Sequence, residues 1–391
     1  MLDNDKLNIL TLNYEYPPVG GGGGYICKNV MDELAENGHK ITVITSHYDN
    51  LPKEESFGNI DIYRVPVILR TKQDVGSLLS LLSYVPSCIS KAQKLMQKEQ
   101  FDIINTHFAV PSGPAGYYLS KKSGLPNVLT IYGGDIYDPT KLLSPHKTPL
   151  LKNTVRRMLE TADHIISDSN DIENHARNYY GIKKEITVIP PGVRPYKGGE
   201  KSRKELGLPE DKIIIATLGR LVVRKNNTEL IEVMKNLCRD FDCHLLIMGD
   251  GPERSNLEKK IRQYGLEGKI TLTGRVGEEK FQIMSAADIY VSTAIHEGFG
   301  LVFLEAMESG LPVVSYNNGG QVDFLIDGTT GFLVEFGDTE KFCDRLIKLI
   351  RSKEMRNQMV LHNQGYIKEF YTSRCADKYL DILNSHRVHT Q

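Results

Sequence analysis

The chain of 391 residues carries 48 lysines and arginines against 49 aspartates and glutamates. That balance excludes the strongly basic surface that usually marks a nucleic-acid binder, so no nucleic-acid partner is expected. The length exceeds a typical single domain and suffices for two cores. Six cysteines, Cys27, Cys88, Cys238, Cys243, Cys343 and Cys375, show neither close pairing nor a zinc pattern and read as reduced and mostly buried.

Met1 to Lys6 lacks the basic and long apolar regions of a signal peptide, and no run of about eighteen apolar residues follows. A soluble cytoplasmic chain is the expectation. Short β-rich runs then alternate with amphipathic helical stretches, which argues for parallel sheets built from βαβ units. In the first half the expected strands are 7–14, 40–46, 102–106, 128–132, 164–168 and 185–189.

After the first strand comes Tyr16-Pro17-Pro18-Val19-Gly20-Gly21-Gly22-Gly23-Gly24-Tyr25, then a helix with Val30, Leu34 and Ala35 at helical spacing. Glycines between strand and helix let a ligand approach the amides at the helix start. A dinucleotide site would want an acid at the end of the second strand, yet Ile41-Thr42-Val43-Ile44-Thr45-Ser46-His47 has none before Asp49. That weakens the dinucleotide reading and leaves a flexible structural loop as the plain alternative. From Gly76 to Gln100, Leu78, Leu79, Leu81, Leu82, Val85, Ile89, Ala92, Leu95 and Met96 form a broad apolar face, with Lys91, Lys94 and Lys98 toward one end. Two readings stand open: a basic amphipathic helix on an anionic membrane, or a core helix with lysines in its last turns.

Pro190-Pro191-Gly192-Val193-Arg194-Pro195 and the polar stretch behind it mark an interdomain segment. The second half repeats the alternation, with strands expected at 212–218, 244–248, 269–273, 289–292 and 312–316, and a last helix near 373–385. Within it lies His296-Glu297-Gly298-Phe299-Gly300-Leu301-Val302-Phe303-Leu304-Glu305, two acids with seven residues between them, divided by a glycine turn that opens an apolar helix. The free amides and dipole of that helix start suit a phosphate. Ionised carboxylates accept hydrogen bonds only and suit sugar hydroxyls. Phosphate and polyol together suggest a nucleotide sugar.

This string resembles the glutamate, seven residues, glutamate signature of the retaining nucleotide-sugar glycosyltransferases of family four. Leu218-Gly219-Arg220-Leu221-Val222-Val223-Arg224-Lys225-Asn226, Ile189-Pro190-Pro191-Gly192-Val193, Met248-Gly249-Asp250-Gly251-Pro252, Gly274-Arg275-Val276, Asn318-Gly319-Gly320 and Gly331-Phe332-Leu333-Val334 are similar to further family segments, so the likeness spans roughly the whole chain. The resemblance implies an α/β protein of GT-B fold, two Rossmann-like domains facing a central cleft with the C-terminal helix crossing back to the first. It divides the chain into an acceptor-binding domain at 1–192, a donor-binding domain at 193–368 and a returning helix at 369–391.

It also implies roles. Arg220 and Lys225 would stabilise the leaving diphosphate in place of a metal, Glu305 would hold the ribose, and Glu297 would face the transferred sugar. Leu301 and Val302 would lend amides to the diphosphate, Phe299 and Gly300 would shape the sugar pocket, Arg275 and Val276 would sit at the nucleotide, and Gly22, Gly23 and Gly24 would lie against diphosphate and sugar. Asp135 would orient an acceptor or donor hydroxyl, and His107, just past another expected strand at the same sheet edge, is the second acceptor-side candidate. Many members carry a histidine before Gly-x-Asp, but here the run is Thr130-Ile131-Tyr132-Gly133-Gly134-Asp135, which puts that histidine's donor-sugar contact in doubt for Tyr132. His164 and His175 receive no functional role.

The expected activity is metal-independent, retaining transfer of a hexose-type sugar from a nucleoside diphosphate, UDP favoured over GDP, to a hydroxyl of a glycan or lipid-linked acceptor. No cofactor is expected, and peripheral contact with the inner face of the cell membrane stays open. A two-carboxylate glycosidase would leave the arginine and lysine unexplained. The alternatives kept are a nucleotide-sugar epimerase of the same architecture and a non-catalytic nucleotide-sugar sensor.

Overall fold

The computed structural model describes residues 6–73 and 76–388, so the N-terminal residues 1–5 considered above for a leader, and 389–391 of the last segment, lie outside the described residues. The chain divides into two compact units, one running to Gly192 and resuming at Thr372, the other spanning Val193–Tyr371.

The first unit holds an eight-stranded sheet of β1 (Asn8–Asn13), β2 (Lys40–Ser46), β3 (Glu54–Phe57), β4 (Ile60–Val65), β5 (Ile103–His107), β6 (Asn127–Ile131), β7 (His164–Ser167) and β8 (Ile186–Val188). Its order is β3-β4-β2-β1-β5-β6-β7-β8. All pairings are parallel except β3 with β4, a hairpin that the sequence analysis did not anticipate. Alternation decides which face each residue serves. Ile9, Ile41 and Ile103 enter one core and Leu10, Ile44 and Ile104 the other. Both faces are covered, as parallel sheets require.

One cover is the helix Gly22–Glu36, whose Cys27, Val30, Met31 and Leu34 pack with Cys375, Ala376, Tyr379 and Leu383 of the last helix, Thr372–His386. The other includes the helix Leu78–Met96, which buries Tyr84, Cys88, Ala92 and Leu95. The helix is thus a core helix along one stripe only. Leu78, Leu79 and Leu82 are exposed, beside exposed Ile68 and Leu69.

The second unit holds an all-parallel sheet of β9 (Ile213–Leu218), β10 (Cys243–Met248), β11 (Ile270–Gly274), β12 (Ile289–Ser292), β13 (Val313–Tyr316) and β14 (Gly331–Val334), in the order β11-β10-β9-β12-β13-β14. Here too Ile215, Leu245 and Val291 face one core while Ile214, Leu246 and Tyr290 face the other. Full burial of one such aliphatic side chain contributes about 1.5–3 kcal/mol.

Each sheet changes its winding direction once. From β9 the chain builds outward through β10 and β11, then returns to lay β12 on the opposite side of β9. The loops that leave β9 and β12 therefore emerge side by side, the place where open α/β sheets bind ligands. In the first unit the same holds for the loops after β1 and β5. Among the described residues, no helix is long and apolar enough to cross a membrane.

Candidate functional site

At the carboxyl edge of the second sheet, three strand ends meet backbone to backbone. A Cβ on Gly249 would stand 2.0 Å from the carbonyl of Gly219, one on Gly251 2.3 Å from that of Leu221, and Gly249 N–H donates to Gly274 at 2.8 Å. Only glycine admits that approach. Beyond β9, Val223–Lys225 form a single 3-10 turn that ends on Asn226 in the left-handed region at φ 51°. Asn226 donates to Glu229, which also accepts from Tyr316 Oη and, at 3.0 Å, from Thr339 Oγ1. That bracing fixes the turn carrying Lys225. A Cβ on Gly219 would lie 2.8 Å from Lys225 Cε, so the glycine also makes room for the lysine stem.

The loop after β12 is tied to this turn. Ile295 N–H donates to Arg224 O at 2.8 Å and Thr293 Oγ1 to Asn226 O at 3.0 Å. Glu297, 5 % exposed, is ion-paired with Lys225 through Oε1 and with Arg224 through Oε2 at 3.5 Å. Burial alone would raise its carboxyl, but Lys225 first and Arg224 second outweigh it and hold the group below the usual carboxylate range. Glu297 O accepts from Gly320 N–H at 2.8 Å, and a Cβ on Gly320 would come within 1.9 Å of Gly298 O, so the glycine pair after β13 cradles the loop.

Gly300, left-handed at φ 90°, opens the helix Leu301–Glu308 with no side-chain cap. The first amides of a helix have no intrahelical acceptor, and no side chain caps those of Leu301 and Val302. One turn on, Glu305 is 7 % exposed, and Lys280 Nζ at the start of the helix Lys280–Ser285 donates to its Oε1 at 2.5 Å.

The second unit therefore brings Lys225, Glu297 and the Gly300–Val302 helix start into one loop cluster, with Glu305 on the same helix. Arg220 is half-buried in the turn after β9, where it is Arg224 that contacts Glu297. Arg275 is exposed after β11, and half-buried Val276 packs against the core. Phe299, expected to shape a sugar pocket, packs in the core: its ring lies 4.8 Å from that of Phe324 and it is almost wholly buried. The sequence did not single out Arg224 and Lys280, which pair with Glu297 and Glu305. Arg224 had an adjacent signal in the basic Arg224-Lys225 pair, whereas Lys280 lies 25 residues before Glu305 and had none.

In the first unit the glycine run has divided roles. Gly22 is exposed with open space where a Cβ would go, a Cβ on Gly23 would press on Phe108 at 2.7 Å, and one on Gly24 would overlap Glu15 O at 1.7 Å. Glu15 Oε2 accepts from Gly21 N–H at 3.0 Å, so an internal carboxylate already serves this helix start. Asp135 is buried and accepts from Ala109 N–H at 2.6 Å and Tyr132 N–H at 2.9 Å, stapling the loops after β5 and β6. Burial pushes its carboxyl up to about 7, against the pull of those two amides.

His107, the other acceptor-side candidate, has no open face here. It is fully buried at the end of β5, with Nε2 3.0 Å from Asn105 Nδ2 and Nδ1 2.7 Å from Tyr132 Oη. Burial brings its pKa down to about 3, so the ring is neutral. Its geometry is that of a group orienting Tyr132, the residue standing where the family has a histidine.

Residues 20–196 match the family described as Glycosyltransferase Family 4, and residues 199–364 the family described as Glycosyl transferases group 1. The N-acetyl-alpha-D-glucosaminyl L-malate synthase of Bacillus anthracis is 27 % identical over 379 residues, covering 94 % of both chains. A UDP-Gal:alpha-D-GlcNAc-diphosphoundecaprenol alpha-1,3-galactosyltransferase of Escherichia coli is 27 % identical over 83 % of this chain and 85 % of its own. Among solved structures, sucrose-phosphate synthase from Thermosynechococcus elongatus superposes with a TM-score of 0.86 at 21 % identity, over 97 % of this chain and 99 % of its own.

Proposed function

With glycosyltransferase family 4 and group 1 domains on a GT-B fold, the chain is a glycosyltransferase, and we propose that it moves a hexose-type sugar from a nucleoside diphosphate to a hydroxyl acceptor with retention of configuration. What carries the reading is the cluster of Lys225, Arg224, Glu297 and the uncapped helix start at Gly300, all within one unit.

As the glycosidic bond breaks, negative charge grows on the diphosphate and the anomeric carbon becomes oxocarbenium-like. Fixed charges and amides aimed at the growing anion lower that barrier. In this proposal Arg220 and Lys225, with the amides of Leu301 and Val302, take the diphosphate. Glu305, steadied by Lys280, accepts from the ribose hydroxyls, and Glu297 from hydroxyls of the transferred sugar. The cations supply the charge a metal would otherwise bring. The donor is assigned to the 193–368 segment and the acceptor to the 1–192 segment, where Asp135 holds the loops in place.

UDP is proposed over GDP as the donor nucleotide, and a glycan or lipid-linked alcohol as the acceptor, in keeping with the galactosyltransferase whose name states a UDP-linked donor and a diphosphoundecaprenol-linked acceptor. Peripheral membrane contact belongs to the same proposal, supported by exposed Ile68, Leu69, Leu78, Leu79 and Leu82. Flotation with anionic vesicles at low salt tests that part, and no binding retires it.

The decisive experiment is titration of the full chain with a panel of nucleoside diphosphates, followed by turnover of the matching sugar donor with and without acceptor alcohols. Acceptor-dependent release of diphosphate with an anomer-retained product supports the proposal. An isomerised free sugar nucleotide would make the chain an epimerase, and tight binding without turnover over every acceptor would make it a sensor.

A further inference from the structure

The six cysteines were expected to be unpaired, and all six are free, yet two of them touch. Cys238 lies in the last turn of the helix Asn227–Asp240 and Cys243 opens β10, so the tight turn 239–242 folds one sulfur back onto the other. Their Sγ atoms are 3.6 Å apart. Phe241 N–H bonds to Leu237 O at 3.0 Å and Cys243 N–H to Phe241 O at 3.1 Å, which holds the turn closed. Lys269 Nζ donates to Cys238 O at 2.7 Å, bringing a positive charge to the same spot.

We propose that Cys238 and Cys243 form a reversible dithiol–disulfide pair, a redox modification site in the 193–371 unit that a small-molecule disulfide oxidises. Cys238 is the entry point, at 8 % exposure against 1 % for Cys243. The thiol hydrogen bond from Cys243 pulls Cys238 below the usual thiol value despite burial, with Lys269 and Lys212 adding to it, and the same contact pushes Cys243 up. Thiolate is the reactive form. Cys27, Cys88 and Cys375, by contrast, are pushed up to about 12 by burial and stay protonated.

The steps balance. The Cys238 thiolate attacks one sulfur of the small disulfide, forming a mixed disulfide and expelling one small thiolate. Cys243 then gives up its proton, and its sulfur attacks that of Cys238, expelling the second small thiolate. Two protein thiols are oxidised, one small disulfide is reduced to two thiols, and the protons go to those products. From 3.6 Å, the sulfurs need approach by only about 1.6 Å to reach a disulfide bond of about 2.05 Å.

Cys243 stands at the amino end of β10, whose six residues run about 17 Å before reaching the edge that carries Gly249. Oxidation is therefore expected to leave donor turnover unchanged.

The test uses the full chain, native, with oxidised glutathione, read by intact mass and peptide mapping. The expected result is loss of two hydrogens, a linked Cys238–Cys243 peptide reversed by dithiothreitol, and, in Cys243→Ser, glutathione trapped on Cys238. The proposal is overturned if both thiols remain alkylatable while half-buried Cys343 reacts. It is equally overturned if the wild type accumulates the same mixed disulfide as the variant.

Discussion

Lys225→Met tests the electrostatic logic of the site most directly. Methionine keeps an unbranched apolar stem and removes the ammonium, leaving buried Glu297 still paired with Arg224, 3.5 Å away. Removing one partner of a buried pair costs roughly 3–5 kcal/mol when the other charge is left alone. Arg224 offsets part of that, since its Coulomb attraction at an effective dielectric of about 20 is near 5 kcal/mol before desolvation. The expected net loss is therefore about 1–3 kcal/mol.

Native-state hydrogen exchange reads it locally, as roughly 5- to 150-fold faster opening in peptides covering 289–308. Adding Glu297→Gln removes the stranded charge and should recover most of the protection. The wild-type contribution of Glu297 is present in full above its ordinary value of 4.5 and fades as pH falls through its lower folded value; in the variant that acid limb moves up. Donor kcat/KM should fall roughly 10- to 150-fold, the equivalent of one charge-assisted contact of about 1.5–3 kcal/mol. Wild-type exchange in the single variant, or no recovery in the double, would refute the reasoning.

Lys280→Met should raise the KM for the sugar nucleotide by about tenfold or more with kcat nearly unchanged, because it frees a carboxylate whose Oε1 the lysine holds at 2.5 Å; steady-state kinetics checks this. Gly320→Ala should cost at least about 2 kcal/mol in the second unit and weaken diphosphate binding, since its Cβ would sit 1.9 Å from Gly298 O; calorimetric titration and thermal melting read both. Asp135, raised to about 7, favours the folded state below pH 3.8 and loses that contribution as pH rises to 7, while His107, lowered to about 3, makes stability fall as pH drops from 6.5. Their slopes oppose between pH 4 and 6.5; over the background set by the other shifted groups, buried Asp168 among them, Asp135→Asn should make the slope of stability against pH more positive than in the wild type and His107→Phe more negative, each by up to about 1.4 kcal/mol per unit in pH-dependent unfolding.

The fold was legible mostly where a strand is an apolar run buried on both faces, as in β1, β2 and β10. All eleven expected strands are present, with ends within a residue or two, because continuous apolar runs leave little choice of element. The misses have separate causes. β3, Glu-Glu-Ser-Phe, is a mostly exposed antiparallel edge with no apolar pattern, β4 is known only through its pairing, and β14 is four residues that read as a turn motif. Motif order singled out Glu297, Glu305 and Lys225, and the structure pairs Glu297 with Lys225, but chain position does not say where a side chain points. Phe299 and His107 both sit beside glycine-containing loops and both are buried. Lys280 and the Cys238–Cys243 contact are tertiary facts that spacing alone does not carry.

On the proposed function, charge balance also accounts for acids standing in an anion pocket. On that same proposal, Arg220, Arg224, Lys225 and Lys280 set against Glu297 and Glu305 leave a surplus of two positive charges for the two negative charges of a sugar-linked diphosphate. A free nucleoside diphosphate, more negative still, resembles the leaving group late in the reaction. Glu297→Gln increases the surplus by one while removing an acceptor for sugar hydroxyls. On the proposed function it should bind the free diphosphate about tenfold more tightly and turn the sugar donor over at least tenfold more slowly, a split worth roughly 1.4 kcal/mol on each side. Calorimetric titration with diphosphate and with intact donor separates the two effects. If both ligands weaken together, Glu297 serves the fold of the loop and has no direct part in distinguishing donor from product.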